Sequence, residues 1–385
     1  MKKLADNILC WCMNPEQGAI QQAMNISKHP WLVGNVCLMP DTHEGYGMPI
    51  GGVVALNNAI CPNMVGVDIG CGMLAVKTNL TTEQINVDLL KQVMGKIREL
   101  IPVGFNHHNA KQSNSIFDNE KWKFLTICGK EFDSAQYQIG TLGGGNHFIE
   151  IQRDEDNNIW FMIHSGSRNL GKKVADYYNR KAKELCEFWK QYDIVKNDLA
   201  VLPIGTDEAR DYICEMKMCL DFAYENRILM ADNICKAFNE VFSDFETFDV
   251  INIHHNYAAL EHHYNRDVWV HRKGATLARE GTIGIIPGSQ GTCSYIVEGL
   301  GNEASLCSCS HGAGRKMSRI QAKQILTVKG EAKLMDDLGI VHSIRNVNDL
   351  DEAPSAYKDI DVVMDEQSDL VKILVKLSPL GVIKG

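Results

Sequence analysis

The sequence predicts a mixed α/β or α+β protein in one large domain, with β-sheets inside and helices around them. Two observations carry that expectation. Runs rich in β-branched and aromatic residues recur along the chain: GGVVAL from Gly51, MLAVKTNL from Met73, NIWFMIHS from Asn158, FDVINIHHNY from Phe248, DVWVHRK from Asp267 and TIGIIPG from Thr282. Between them lies a helical region over about 172–242, and no linker rich in Pro, Gly or Ser, no repeat and no low-complexity tract divides residues 1–385.

Taken in chain order, Thr81 followed three residues later by Gln84 suits a capping box. Leu89, Leu90, Val93, Ile97 and Leu100 then recur at helical spacing, which predicts a helix over about 82–101. Residues 104–120, GFNHHNAKQSNSIFDNE, read as a long loop. The helical region divides into about 172–190 and 207–242. In the second part Tyr212, Met216, Leu220, Ala223, Met230, Ile234 and Phe238 form one stripe, expected to pack into the core rather than to bind anything.

With 385 residues, 45% of them apolar, the chain has material for a large core. The 13 cysteines stand at irregular spacing, and no apolar stretch has the length of a signal peptide or of the roughly 20 residues that a membrane span needs. The expectation is a cytoplasmic protein with reduced thiols. A net charge of −9 argues against a surface that grips nucleic acid everywhere. Local basic spots remain at His271-Arg272-Lys273 and at Arg315-Lys316 with Arg319, unless these are solvated faces.

Several β-like runs break into Gly-rich backbone at a residue able to ligate metal. Asp68 and Cys71 stand in VGVDIGCGM, His147 in GTLGGGNHFIE, His164 in MIHSGSR and His255 in INIHHNY. Glycine there lets the backbone approach an ion or a phosphate. The set lacks the Cys-x-x-Cys and HExxH spacings of zinc sites and leaves room for two ions that share the cysteine. Mn²⁺ suits these donors, and Zn²⁺ or Co²⁺ would bind them at least as tightly. GTLGGGNH, PGSQGT and HGAGR add backbone N–H groups suited to anions, although none matches a standard nucleotide fingerprint. In CSCSHGAGRKMSR, His311 stands between small residues with Arg315 and Arg319 downstream. It can serve as a nucleophile on phosphorus, or equally as a phosphate contact without covalent chemistry.

Together these motifs resemble the RtcB family of RNA-splicing and RNA-repair ligases. The agreement runs in order along nearly the whole chain: MPDTHEGYGMPIGG from Met39, VGVDIGCGM, GTLGGGNHFIE, HSGSRNLG, HHNYA, HRKGAT, GIIPGSQGT, GLGNEASLCSCSHGAGRKMSR, DEAPSAYKDID and a terminal GVIKG. The resemblance implies an α+β fold and two Mn²⁺ ions held by Asp68, Cys71, His147, His164 and His255, with Cys71 bridging. It implies that GTP guanylylates His311. It places the guanylate against Asn146, His147, Phe148, Ile149, Glu150, His255, Asn256, Pro287, Gly288, Ser289, Gln290, Ser294, Gly312, Ala313, Gly314, Tyr357 and Lys384, with Glu150 and Lys384 at the base. Arg168, Lys273 and Arg315 are implied phosphate contacts, with Asp41 and His43 in support. The implied partner is RNA with a 3′-phosphate or 2′,3′-cyclic phosphate end and a 5′-hydroxyl end. Gln290 stands where many relatives carry Met. The rival reading is a metal-dependent phosphatase or cyclic phosphodiesterase, which has no use for a His311 nucleophile.

Overall fold

The computed structural model describes residues 1–385 as an α+β arrangement of two large sheets with helices outside them. The six-stranded sheet runs in the order Lys2–Ala5, Ile8–Cys10, Leu32–His43, Ile50–Leu56, Arg266–Lys273, Asn256–His263. Its pairs are antiparallel except for Ile8–Cys10 beside Leu32–His43. The seven-stranded sheet is antiparallel throughout, in the order Thr247–His254, Gly72–Thr81, Asn158–Ser165, Phe148–Arg153, Val371–Lys384, Ser294–Gly299, Ile283–Ile286. Its two outermost strands approach one another, so the sheet curls toward closure.

Burial explains why the predicted β-runs are strands. Ile50–Leu56 is buried along nearly its whole length and reads as a continuous apolar run, as a strand covered on both faces should. The helix Asp207–Asn239 begins at Thr206, whose side chain accepts from the Ala209 N–H, with Asp207 and Glu208 favourably placed in its first turn. Of its expected stripe, Tyr212, Met216, Ala223, Met230, Ile234 and Phe238 are buried and Leu220 is half-buried. Met230, Ile234 and Phe238 pack with Phe161 and Ile163 of the seven-stranded sheet and with Val93 and Ile97. At about 1.5–3 kcal/mol for each large apolar side chain removed from water, this contact outweighs the weak helical preference of the polar residues on the same helix.

Three expectations are corrected. The helix expected over about 82–101 spans Val87–Leu100. Gln84 Oε1 does accept from the Thr81 N–H at 2.9 Å, but that contact closes a turn, and Asn86 supplies the cap by accepting from the N–H groups of Asp88 and Leu89. The run FDVINIHHNY is two strands, one in each large sheet, with the chain changing sheets at His255. His271, Arg272 and Lys273 form no basic surface, since all three are buried in the six-stranded sheet, where Arg272 Nη1 pairs with Glu261 Oε1 at 2.5 Å. The upstream helix covers Arg168–Phe188, and residues 104–120 hold the short helical turn Ser115–Asp118 and the start of another, Glu120–Lys123.

Candidate active site

Strand register brings the metal-type residues together. In the seven-stranded sheet His254 lies opposite Gly72, Gly72 opposite Ser165, and Phe148 opposite His164. The ends of four neighbouring strands therefore coincide, and each carries or adjoins one donor: His255, Cys71, His164 and His147. The change of sheet at His255 is pinned by its N–H donating to the Cys71 carbonyl at 2.9 Å and by its own carbonyl accepting from Ala275 at 3.1 Å. Asp68 joins from the preceding loop, where its carbonyl accepts from the Cys71 N–H.

The donors fall into two triads that share one atom. Cys71, His164 and His255 form one, and Asp68, Cys71 and His147 the other, each with its ligand atoms within 4.8 Å of one another. Cys71 Sγ lies 3.2 Å from His164 Nε2 and 3.5 Å from His147 Nε2. His164 Nε2 lies 3.3 Å from His255 Nε2, and His147 Nε2 lies 3.0 Å from Asp68 Oδ2. Burial and the nearby Asp68 carboxylate push the Cys71 thiol well above its ordinary range, and burial pushes His164 and His255 well below theirs. Protonated cations are thus disfavoured where several lone pairs converge, and bound divalent cations would compensate that charge deficit. The donor set fits two such ions. His164 is oriented as metal-binding imidazoles usually are, its Nδ1 lying 3.0 Å from the Asn146 carbonyl.

Close backbone approach is a requirement here. Gly143 has φ +93°, and a Cβ on it would fall 2.0 Å from Arg168 Nη1 and 2.5 Å from His147 Nδ1. Arg168 itself is held at φ +58°, a conformation costly for a side-chain-bearing residue, and its guanidinium donates to Thr141 Oγ1 and the Gly104 carbonyl. The fully buried Asn226 and Arg227, side by side on the long helix, hold these loops in place. Asn226 bonds Gly140, Thr141, Ser165 and Gly166. Arg227 bonds the carbonyls of Gly70 and Ser165, together with Asn252 and His254. Neither was singled out from the sequence; the available signal was a polar pair interrupting an apolar helical stripe.

His311 follows the strand Ser308–Ser310 and lies at the border of the cluster, its ring 4.8 Å from that of His255 at 71°. Its Nδ1 sits 2.6 Å from Asp41 Oδ2, and its backbone N–H donates to the same oxygen at 3.1 Å. Burial alone would raise the Asp41 carboxyl, yet the His311 imidazole and Lys358 hold it below the usual carboxylate range. With Nδ1 turned to Asp41 Oδ2 as hydrogen-bond donor, Nε2 is the ring nitrogen left out of that bond.

Beyond His311 opens a cavity of about 870 Å³, lined by His43, Asn146, Phe148, His164, the loop from Pro287 to Gln290, the segment from His311 to Arg319, Glu352, Tyr357 and Lys384. The basic spot at Arg315, Lys316 and Arg319 belongs to its wall. Glu352, which sequence reasoning did not single out, organises that wall. It accepts from Arg315 Nη1 at 3.2 Å, Arg319 Nε at 3.0 Å and the Tyr357 hydroxyl, while its carbonyl accepts from Gln290 Nε2 at 2.7 Å. Lys384 is half-buried, with its ammonium over the Phe148 ring. Burial lowers its ammonium pKa, opposed by Glu352 and Glu150. Burial pushes Glu150 up to about 8, so this carboxyl is largely neutral at pH 7.

Some expected contacts sit apart from the cavity. Lys273 donates to the Tyr46 and Asn63 carbonyls, so its ammonium is engaged with backbone. Asn256 bridges the Asp68 carbonyl and the Gly274 N–H, and the Ile149 side chain packs in the core. Ser294 Oγ accepts from Gln152 and the Gly288 N–H, which steadies the Pro287–Gln290 loop from behind.

Fold and site define a class: an α+β protein whose metal-type donor cluster opens, past a carboxylate-held histidine, onto a large cavity with a cationic wall. The chain belongs to the RtcB family, whose model, described as tRNA-splicing ligase RtcB, matches residues 22–385. It is 38% identical to the RNA-splicing ligase RtcB of Escherichia coli strain K12, across 96% of this chain and 95% of that protein. It is 33% identical to the tRNA-splicing ligase RtcB of Nanoarchaeum equitans (96% and 92% covered) and 31% identical to that of Thermococcus kodakarensis (95% and 91% covered). No helix is long and apolar enough to cross a membrane.

Proposed function

We propose that this chain is a GTP- and Mn²⁺-dependent RNA ligase, acting in transfer RNA splicing or RNA repair, that joins a 3′-phosphate or 2′,3′-cyclic phosphate end to a 5′-hydroxyl end through a guanylate on His311. The observation that carries the reading is the His311–Asp41 pair: an imidazole with one nitrogen committed to a buried carboxylate and the other free, between the donor cluster and the cavity.

Asp68, Cys71 and His147 would hold one Mn²⁺, and Cys71, His164 and His255 the other. When bound, the ions supply charge stabilisation at phosphoryl oxygens. His311 Nε2 attacks the α-phosphorus of GTP, the bond to the β-phosphate oxygen breaks, and pyrophosphate leaves. The positive charge that develops on the ring is met by Asp41 at Nδ1. Gly312, Ala313 and Gly314 keep the backbone close to the phosphates, Arg315 and Arg319 supply positive charge, and Tyr357, Glu150 and Lys384 form the base end. An oxygen of the RNA 3′-phosphate then attacks the guanylate phosphorus and releases His311. The 5′-hydroxyl oxygen attacks the activated 3′-phosphoryl group, GMP leaves, and the strand is sealed. A cyclic phosphate is hydrolysed to the 3′-phosphate beforehand. Arg168, next to the cluster, binds the RNA phosphate in this reading.

The test is intact mass after incubation with GTP and MnCl₂, followed by peptide mapping. A guanylate on the His311 peptide is expected. An unmodified chain that binds Mn²⁺ and hydrolyses cyclic phosphate would point to a phosphoesterase instead.

A further inference from the structure

We infer that Phe105 is a stacking platform for the terminal base of the RNA strand that carries the 3′-phosphate, an assignment that rests on the ligase reading above. Phe105 is wholly exposed, at 101%. An unpartnered aromatic ring in water contributes nothing to a core, and on a loose loop it would mean little. This turn is fixed on both sides of it. The Gly104 N–H donates to the Gly143 carbonyl at 3.0 Å, Asn106 to Val103 at 3.2 Å and His108 to Tyr137 at 3.1 Å. His108 Nε2 also lies 3.2 Å from the Gly140 carbonyl. The backbone is therefore ordered before anything binds, while the ring it presents has no partner.

Its position supplies the ligand chemistry. The Gly104 carbonyl accepts from Arg168 Nη2 at 3.2 Å, so the residue that precedes Phe105 holds the guanidinium that lies beside His147. Neither Phe105 nor Arg168 lines the nucleotide-sized cavity. Of the cluster, Cys71, His147, His164 and His255 are buried, whereas the Asp68 side chain is 28% exposed without lining the cavity, so solvent reaches the cluster at Asp68 from outside the cavity. A nucleic acid end entering there meets a cation for its phosphate, and beside it a flat apolar face for the base attached through one sugar. Every nucleobase offers a π-face, so the contact holds the end without selecting its sequence.

The experiment measures ligation kinetics with Mn²⁺, GTP and an RNA 3′-phosphate oligonucleotide, alongside the rate of His311 guanylylation. Phe105→Ala is expected to raise KM for the 3′-phosphate strand by roughly 5- to 100-fold, the worth of one base stacked on an aromatic side chain. Guanylylation by GTP should keep its wild-type rate. Phe105→Trp should retain the wild-type KM, Phe105→Leu should resemble the alanine variant, and an abasic terminal nucleotide should erase the difference between wild type and alanine. An unchanged KM in Phe105→Ala, a leucine variant equal to wild type, or an effect confined to the 5′-hydroxyl strand overturns the inference. If the wild type forms no guanylate, the ligase reading fails by itself, and direct binding of the 3′-phosphate RNA to wild type and Phe105→Ala still decides whether the ring stacks.

Discussion

Asp41 Oδ2 receives both the ring Nδ1–H and the backbone N–H of His311, so a single buried carboxylate oxygen sets the rotation of the imidazole and the position of its main chain together. Few side-chain rotations remain to the histidine under that double constraint, and Nε2 stays outside the bond to Asp41.

Asp41→Asn tests what the charge adds to the geometry. The amide oxygen can still accept both hydrogen bonds, but it no longer offsets the charge that develops on the ring during attack. The rate of His311 guanylylation is expected to fall by about 100-fold, the lower range for loss of a group assisting proton or charge balance, with bound metal unchanged. Time-resolved intact mass measures it, and a wild-type rate would reduce Asp41 to a spacer.

The shared thiolate makes the metal assignment separable. Cys71 belongs to both triads, Asp68 and His147 only to one, and His164 and His255 only to the other. After loading with MnCl₂ and dialysis, elemental analysis should find that Cys71→Ala loses both equivalents. Asp68→Ala and His255→Ala should each lose mainly one. Two equivalents retained without Cys71 would refute the bridging role.

Much of this site was legible because its residues stand where strands end in glycine, and strand ends are where a sheet fixes geometry. The register that makes four such ends coincide was not legible. It is set by pairing between segments as distant as Gly72 and His254, and by a change of sheet inside a run that reads as one strand. Local patterning also misjudged Arg272 and Lys273, whose charges look like surface but lie inside the sheet, the first paired with Glu261 and the second hydrogen-bonded to carbonyls. Glu352 gave no signal of its own, since its importance lies in which cations the fold delivers to it.

Arg227 carries a stability prediction. It is fully buried, and its guanidinium satisfies two backbone carbonyls, Asn252 and His254. Arg227→Met keeps the stem but strands those acceptors in the core, at about 1–3 kcal/mol for each uncompensated group. Chemical denaturation of the metal-free protein should show a loss on the order of 3 kcal/mol. Metal affinity should also fall, because the Gly70 and Ser165 carbonyls flank Cys71 and His164. Unaltered stability would mean that water replaces the guanidinium.

Glu150 ties stability to pH with a defined sign. Its ordinary value of 4.5 applies to the unfolded chain, and burial raises it to about 8 in the fold, although Gln152 and Lys384 partly oppose that. Between those values the native carboxyl keeps a proton that the unfolded chain has lost. Wild-type stability should therefore fall as pH rises from about 4.5 to 8 and level off above it. Glu150→Gln cannot ionise. Measured against wild type by denaturant titration, it should gain relative stability across that window, by as much as about 4–5 kcal/mol at the upper end. The same substitution removes the carboxyl that a guanine N–H edge would engage on giving up its proton, so GTP binding should weaken even as the free protein becomes more robust. A variant that gains stability and still guanylylates His311 with unchanged preference for GTP over ATP would separate Glu150 from base recognition.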